Sequence, residues 1–149
     1  MKIEHGMTLI VKTITRIILW IIFVYGIYII LHGHLSPGGG FGGGVIIALA
    51  FLSILLAYGK DYTQNWLNIR FLQEFEVSAV LLFLVVGIMG IGFGSAFLMN
   101  FLSHGTLFKL LSAGTIPLLN IFIGVKVGVS LFLVVWALAD LHLEKEEEV

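Results

Sequence analysis

Long apolar stretches alternate with short polar segments along the whole chain. An α-helix needs about 20 predominantly apolar residues to cross the hydrocarbon core of a membrane. The stretches that approach this length are 8–31, 40–58, 77–99 and 117–139. The first needs its flanking turns to reach across, and the Lys12 and Arg16 side chains in those turns can extend to the membrane surface. The pattern predicts an all-α integral membrane protein with four transmembrane helices, forming one membrane domain over residues 1–149.

Composition agrees with this pattern. Of the 149 residues, 59% are hydrophobic and 11% are charged, whereas soluble domains carry about 25% charged residues. The lack of cysteine excludes disulfides, thiolate metal sites and iron–sulfur clusters in this chain. A net charge of −1 gives no reason to expect a nucleic-acid partner. We expect the first stretch to be retained as an anchor, because glycine-rich sequence follows it instead of a small-residue cleavage site.

The basic residues predict how the chain is oriented. Four spans place both termini on one side of the membrane, together with the segment 59–76, whose mixture of apolar and polar residues is typical of an interfacial segment. The basic residues on that side are Lys2, Lys12, Arg16, Lys60, Arg70 and Lys145, and the opposite side carries Lys109. Cytoplasmic segments are enriched in Lys and Arg. We therefore predict cytoplasmic termini, a solvated acidic tail at 144–149 and a multi-pass protein of the plasma membrane.

A glycine-rich segment, 32–44, joins the first two spans. Among its residues are Pro37, Gly38, Gly39, Gly40, Phe41, Gly43 and Gly44. One interpretation is a tight turn that leads into a helix whose glycines let a neighbouring helix pack closely. The other is an irregular, hydrated backbone that lines a cavity at the membrane edge, where non-helical backbone must be buried in protein or face water.

Two histidines, His32 and His34, stand in this turn. A metal site would need a further ligand, and His104 is the other candidate on that side, so we predict no metal. Hydrogen bonds to loop backbone are the commoner role for such residues. A proton-relay role also remains open, because histidine titrates near neutral pH.

Lys126 lies inside the fourth span. It is about 14 Å beyond Pro117 along a helix, close to the membrane midplane. A lysine at that depth costs at least ~2.5 kcal/mol. The sequence places Glu74 and Glu76 before the third span, and Asp140 lies about 21 Å from Lys126. We therefore expect no ion pair within the chain, and Lys126 should face another subunit or a hydrated path, or carry no charge.

Small residues recur four apart within the predicted spans. Gly124 and Gly128 flank Lys126, and Gly90 and Gly94 repeat the spacing in the third span. This pattern is typical of close helix packing in membranes. Asn120, one and a half turns before Lys126, is a polar amide that needs partners, and bonding between helices is its commoner role.

The segments 32–44, 114–120 and 123–128 together resemble one family over essentially the whole chain. They resemble the MnhB (also called MrpB) subunits of Mrp-type multisubunit sodium/proton antiporters, a subunit type that also occurs in archaeal membrane-bound hydrogenase and sulfane-sulfur reductase complexes. Pro37, Phe41 and the neighbouring glycines match the family's first motif, and Pro117, Asn120 and Lys126 match its second. The resemblance implies a small, catalytically silent subunit that works inside a large assembly.

We therefore hypothesise a non-catalytic, cofactor-free subunit of a module that exchanges Na⁺ and H⁺, in a free-standing antiporter or in a respiratory hydrogenase or sulfur-reducing complex. Lys126, with Asn120, His32 and His34, would contribute to an ion path where other membrane subunits meet this one. The alternative is a structural scaffold whose glycine faces hold neighbouring subunits together. A self-sufficient dimeric exporter is disfavoured, because it would need an acid deep in the membrane, and the sequence places none at mid-depth.

Overall fold

A computed structural model describes residues 7–94, 96–102, 105 and 112–147. Within these ranges the chain forms helices and no strands. The helices are α1 (Leu9–Leu31), α2 (Gly39–Tyr58), α3 (Lys60–Trp66), α4 (Ile69–Gly94) and α5 (Ile116–Glu147). All but α3 are long and apolar enough to cross a membrane. The predicted all-α class with four spanning helices is confirmed.

Helix α2 is the centre of the bundle, packed between α1 on one side and α5 on the other, and α4 packs against the far side of α5. Glycines allow the helices to approach this closely. A Cβ at Gly43 would lie 2.9 Å from the Gly26 carbonyl oxygen of α1, and a Cβ at Gly44 would lie 2.7 Å from the Gly124 carbonyl oxygen of α5. Real side chains do not pack that closely, so α1, α2 and α5 meet backbone to backbone because these residues are glycine.

Helix α4 differs from the predicted third span at both ends. It begins at Ile69 instead of 77, so it includes residues that the sequence pattern assigned to an interfacial segment; α3 forms the rest of that segment. It ends at Gly94 instead of 99, because the chain turns and lies back on α4. The Leu98 backbone N–H donates to the Gly87 carbonyl oxygen over 3.2 Å.

Gly90 takes part in the same fold-back. A Cβ there would lie 2.8 Å from the Met99 backbone nitrogen. The prediction that Gly90 packs against a neighbouring helix was wrong, since the loop that follows α4 packs against it instead.

Of the residues that set the predicted orientation, Lys2 and Lys109 lie outside the described ranges, as does His104. The predicted acidic tail is helical at 144–147, where it continues α5.

The spanning helices pack tightly where α2, α4 and α5 meet and leave a gap between α1 and α4, which we call the open seam. Leu55, Leu72, Val129, Phe132 and Trp136 form a buried apolar cluster where α2, α4 and α5 meet. Between α1 and α4 the helices leave a cavity of about 340 Å³, lined by apolar residues such as Phe23 of α1, Ile47 of α2, Phe75 of α4 and Val125 of α5. The four spanning helices therefore do not close into a ring.

Candidate functional site

The glycine-rich segment is a hydrogen-bonded turn followed directly by helix. The His32 backbone N–H donates to the Tyr28 carbonyl oxygen over 3.0 Å, the His32 ring lies stacked on the Tyr28 ring, and the Ser36 hydroxyl donates to the His32 carbonyl oxygen over 3.1 Å. His34 lies half-buried in the same turn. Gly38, with φ of 100°, provides the left-handed backbone that reverses the chain into α2.

From Gly39 onwards the glycines of this segment therefore lie in α2, not in an irregular cavity wall. Gly40, Gly43 and Gly44 are buried helical residues, which supports the close-packing interpretation. Pro37 is exposed, and Phe41 is 63% exposed. The conformation at Gly39, with φ of 50°, also favours glycine.

Asn120 of α5 packs directly against this turn. A Cβ at Gly40 would lie 3.0 Å from the Asn120 carbonyl carbon, and a Cβ at Gly33 would lie 2.8 Å from the Asn120 side-chain nitrogen. Asn120 is half-buried and Pro117, one turn earlier, is buried. The predicted role of Asn120 as a contact between helices agrees with this position, since its amide and its backbone both touch the glycine turn.

Lys126 has an acidic neighbour in its own chain, so the prediction that it would have none was wrong. Its Nζ lies 3.6 Å from Oε1 of Glu76, and the same carboxylate oxygen accepts a hydrogen bond from the Ser130 hydroxyl. The reason is the early start of α4, which carries Glu76 about 10 Å into the helix and brings it level with Lys126. Asp140, the other acid considered, pairs with Lys60 at the end of the span.

The cluster of Glu76, Lys126 and Ser130, which we call the charge cluster, lies on one face of the bundle. The Lys126 side chain is 46% exposed and the Glu76 side chain 23% exposed. Beside Lys126, α4 and α5 enclose a cavity of about 200 Å³ with otherwise apolar walls. Ionisable residues inside membrane spans are costly and usually mark ion or proton pathways. A carboxylate can hold a cation or a proton, and here a hydroxyl donates to it and an ammonium adjoins it.

The structure separates the residues that the sequence grouped as an ion path. Asn120 contacts the glycine turn where α1, α2 and α5 meet, whereas Lys126 faces α4. His32 belongs to the turn, at the end of α1.

Sequence reasoning missed Glu76 and Ser130 as members of a functional site. The apolar residues Ile69, Leu72 and Ala79 recur at helical spacing around Glu76, a signal that could have extended the third span backwards.

Sequence reasoning also missed a clasp at the start of α5. The Asn100 side-chain oxygen accepts hydrogen bonds from the Thr115 backbone N–H (2.8 Å) and hydroxyl (3.1 Å), and its amide nitrogen donates to the Ala113 carbonyl oxygen over 3.0 Å. Gly114 between them has φ of 64°. The clasp fixes the turn that leads into α5, and so the register of Asn120 and Lys126.

Comparison with known proteins gives concordant matches. A family model described as a domain related to the MnhB subunit of Na⁺/H⁺ antiporters matches residues 10–133. A Na⁺/H⁺ antiporter subunit of Bacillus subtilis is 34% identical over 90 residues, which cover 60% of this chain and 62% of that protein. An uncharacterized protein of Methanocaldococcus jannaschii is 39% identical over 108 residues, which cover 68% of this chain and 41% of that protein.

A solved structure has the same fold. A chain of the membrane-bound sulfane sulfur reductase, an archaeal respiratory membrane complex, superposes with a TM-score of 0.72 at 33% identity, over 88% of this chain and 56% of that chain. This chain thus spans less than two thirds of the length of each of these relatives.

Proposed function

Because the chain belongs to the MnhB family of Na⁺/H⁺ antiporter subunits, we propose that it is a non-catalytic membrane subunit of a multisubunit module that exchanges Na⁺ for H⁺. Its four apolar helices and its family make it a multi-pass protein of the plasma membrane. Its ion-handling part is the charge cluster on α4 and α5, next to other membrane subunits. Both termini are cytoplasmic in this proposal.

The single observation that carries the proposal is the position of Glu76. A carboxylate inside an apolar span is the group that a cation/proton exchanger needs, because it can hold either Na⁺ or H⁺. Lys126 Nζ lies 3.6 Å from Oε1 of this carboxylate, so its positive charge repels a cation bound there and favours its release. The Ser130 hydroxyl orients the carboxylate by donating to Oε1. In this scheme Lys126 supplies the positive charge, and Glu76 is the group whose occupant changes.

The scaffold alternative loses its original basis. It assigned the glycine faces to contacts with other subunits, whereas Gly40, Gly44, Gly124 and Gly128 contact this chain's own helices. The alternative keeps one prediction of its own. If the charge cluster only holds subunits together, replacing both Glu76 and Lys126 by uncharged residues should restore assembly and transport together.

The test is Glu76→Gln in the complete complex, purified with its partner subunits and reconstituted into vesicles. We expect unchanged subunit content and a loss of Na⁺-dependent proton flux of at least about tenfold, which corresponds to about 1.4 kcal/mol. Glu74→Gln is the matched control, because Glu74 is an exposed acid two residues away on the same helix. Wild-type flux from an intact Glu76→Gln complex would refute the ion-path role.

The parent assembly is a separate question that co-purification answers. Similarity to a chain of a sulfane sulfur reductase complex supports a respiratory complex, and similarity to the Bacillus subtilis antiporter protein supports a free-standing antiporter. Subunits carrying iron–sulfur or nickel–iron centres would identify the first, and membrane subunits alone the second. In the first case, we place the redox chemistry on other chains.

A further inference from the structure

The charge cluster leaves Lys126 incompletely satisfied. An ammonium has three N–H donors, and the 3.6 Å distance to Glu76 exceeds that of an N–H···O hydrogen bond. No other partner for Lys126 occurs among the residues that the structure describes. Its side chain is 46% exposed although it stands near the middle of the apolar span Ile116–Asp140. In a membrane, that exposed side would face hydrocarbon, which solvates an ammonium poorly.

A groove lies between α4 and α5 beside Lys126. The cavity of about 200 Å³ is lined by Ala79, Val80 and Phe83 of α4 and by Phe122, Ile123 and Val127 of α5, with Lys126 among them. Apolar walls with one cation at mid-depth fit a partner that is apolar along most of its length and polar at one level. A lipid tail would fill the apolar part, but it has no hydrogen-bond acceptor at that depth.

We infer that this α4–α5 groove receives a transmembrane helix of a different subunit, which presents a hydrogen-bond acceptor side chain, such as a carboxylate, amide or hydroxyl, at the level of Lys126. The acceptor completes the coordination of the ammonium, and apolar side chains on either side of it enter the cavity. This inference shares with the proposed function only the premise that the chain works in a hetero-oligomer. It identifies the face by which the charge cluster meets its neighbour.

The experiment places the photoreactive residue p-benzoylphenylalanine at position 80 in the complete complex, in native membranes. Val80 lines the groove. We expect a covalent adduct with another subunit, and mapping of the cross-linked peptide should find an acceptor side chain within one helical turn. Adducts with lipid only, with a second copy of this chain, or with a wholly apolar segment would each overturn the inference.

A second measurement tests the role of Lys126 in docking. Lys126→Met should lower the yield of the position-80 adduct about tenfold, equivalent to about 1.4 kcal/mol, because the groove loses its one polar contact. The probe at position 81 is the matched control. Leu81 is exposed, adjacent in sequence and at nearly the same depth, and it does not line the groove, so its adducts should not respond to Lys126→Met. An unchanged position-80 yield in that variant would refute the predicted acceptor.

These outcomes are separable from those of the flux assay. If Glu76→Gln transports normally while the position-80 adduct forms as expected, the ion-path role fails and the docking face stands. If flux is lost in Glu76→Gln while position 80 reaches only lipid, the ion-path role stands and the docking face fails.

Discussion

Adding one methyl group at Gly40 should force α2 away from α5. The new Cβ would lie 3.0 Å from the Asn120 carbonyl carbon and 3.1 Å from its Cα, and it would overlap the carbonyl oxygen. These atoms are backbone, so no rotamer change can relieve the contact. Carbon atoms pack best at about 3.5–4.0 Å. Gly40→Ala therefore requires the two helices to separate by about 0.5–1 Å at this level.

The cost follows from that separation. A gap of this size forfeits about a quarter to a half of each dispersion contact at the interface, and overpacking of this kind costs about 1–3 kcal/mol. The higher helix propensity of alanine offsets up to about 1 kcal/mol of this destabilisation. We expect a net loss of about 1–2 kcal/mol, measured as a lower temperature at which the heated, purified complex loses this subunit on size exclusion.

Gly42→Ala is the matched control, because a Cβ at Gly42 has nothing within 4 Å. It lies in the same helix and gains the same propensity without the clash, so the complex should be as stable as wild type or slightly more stable. If the Gly40→Ala complex loses this subunit at the same temperature as the Gly42→Ala complex, the backbone-to-backbone packing of α2 on α5 is refuted.

Three further predictions concern the ends of the helices. Asn100→Ala should destabilise the turn before α5 by about 1–3 kcal/mol, seen as faster amide hydrogen exchange there; unchanged exchange would contradict the clasp. Lys60 and Asp140 form a partly exposed ion pair. A double-mutant cycle with Lys60→Met and Asp140→Asn should therefore give a coupling free energy below about 1 kcal/mol that weakens with salt. A larger coupling that salt does not change would contradict the assignment of a weak surface pair. Since the chain has no cysteine, Asn65→Cys and Leu35→Cys each give a unique label in this chain; an impermeant maleimide should reach the first from the cytoplasmic side and the second from outside, and the reverse result would invert the proposed orientation.

The sequence predicted α1 and α2 to within a residue or two because their ends are chemically marked. Apolar residues fill α2 and most of α1, and glycines at positive φ bound α2, at Gly38 before it and Gly59 after it. The glycine spacing likewise predicted close packing at Gly124 and Gly128. It could not say which element would fill the space at Gly90, because a small residue admits a helix or a returning loop equally well.

The partners of Glu76 could not be predicted from the sequence for a different reason. An acid near the edge of an apolar stretch is normally a sign that the stretch has ended, so Glu76 was placed outside the membrane. In α4 its carboxylate accepts a hydrogen bond from the Ser130 hydroxyl, 54 residues away along the chain, and lies 3.6 Å from the Lys126 Nζ. The helical spacing of the apolar residues around Glu76 could have placed it in the span. Its pairing with residues distant along the chain leaves no local pattern, so only the packed helices reveal its partners.

The open seam between α1 and α4 has a mechanical consequence. Helices α1, α2 and α5 are joined through glycine backbones, a contact with little room for sliding, whereas α4 is held mainly along α5 by side chains. Three helices thus pack backbone to backbone, and the fourth, which carries Glu76, is attached along one side through side chains. A displacement of α4 relative to α5 would change the spacing of Glu76 and Lys126 without disturbing the glycine contacts among α1, α2 and α5.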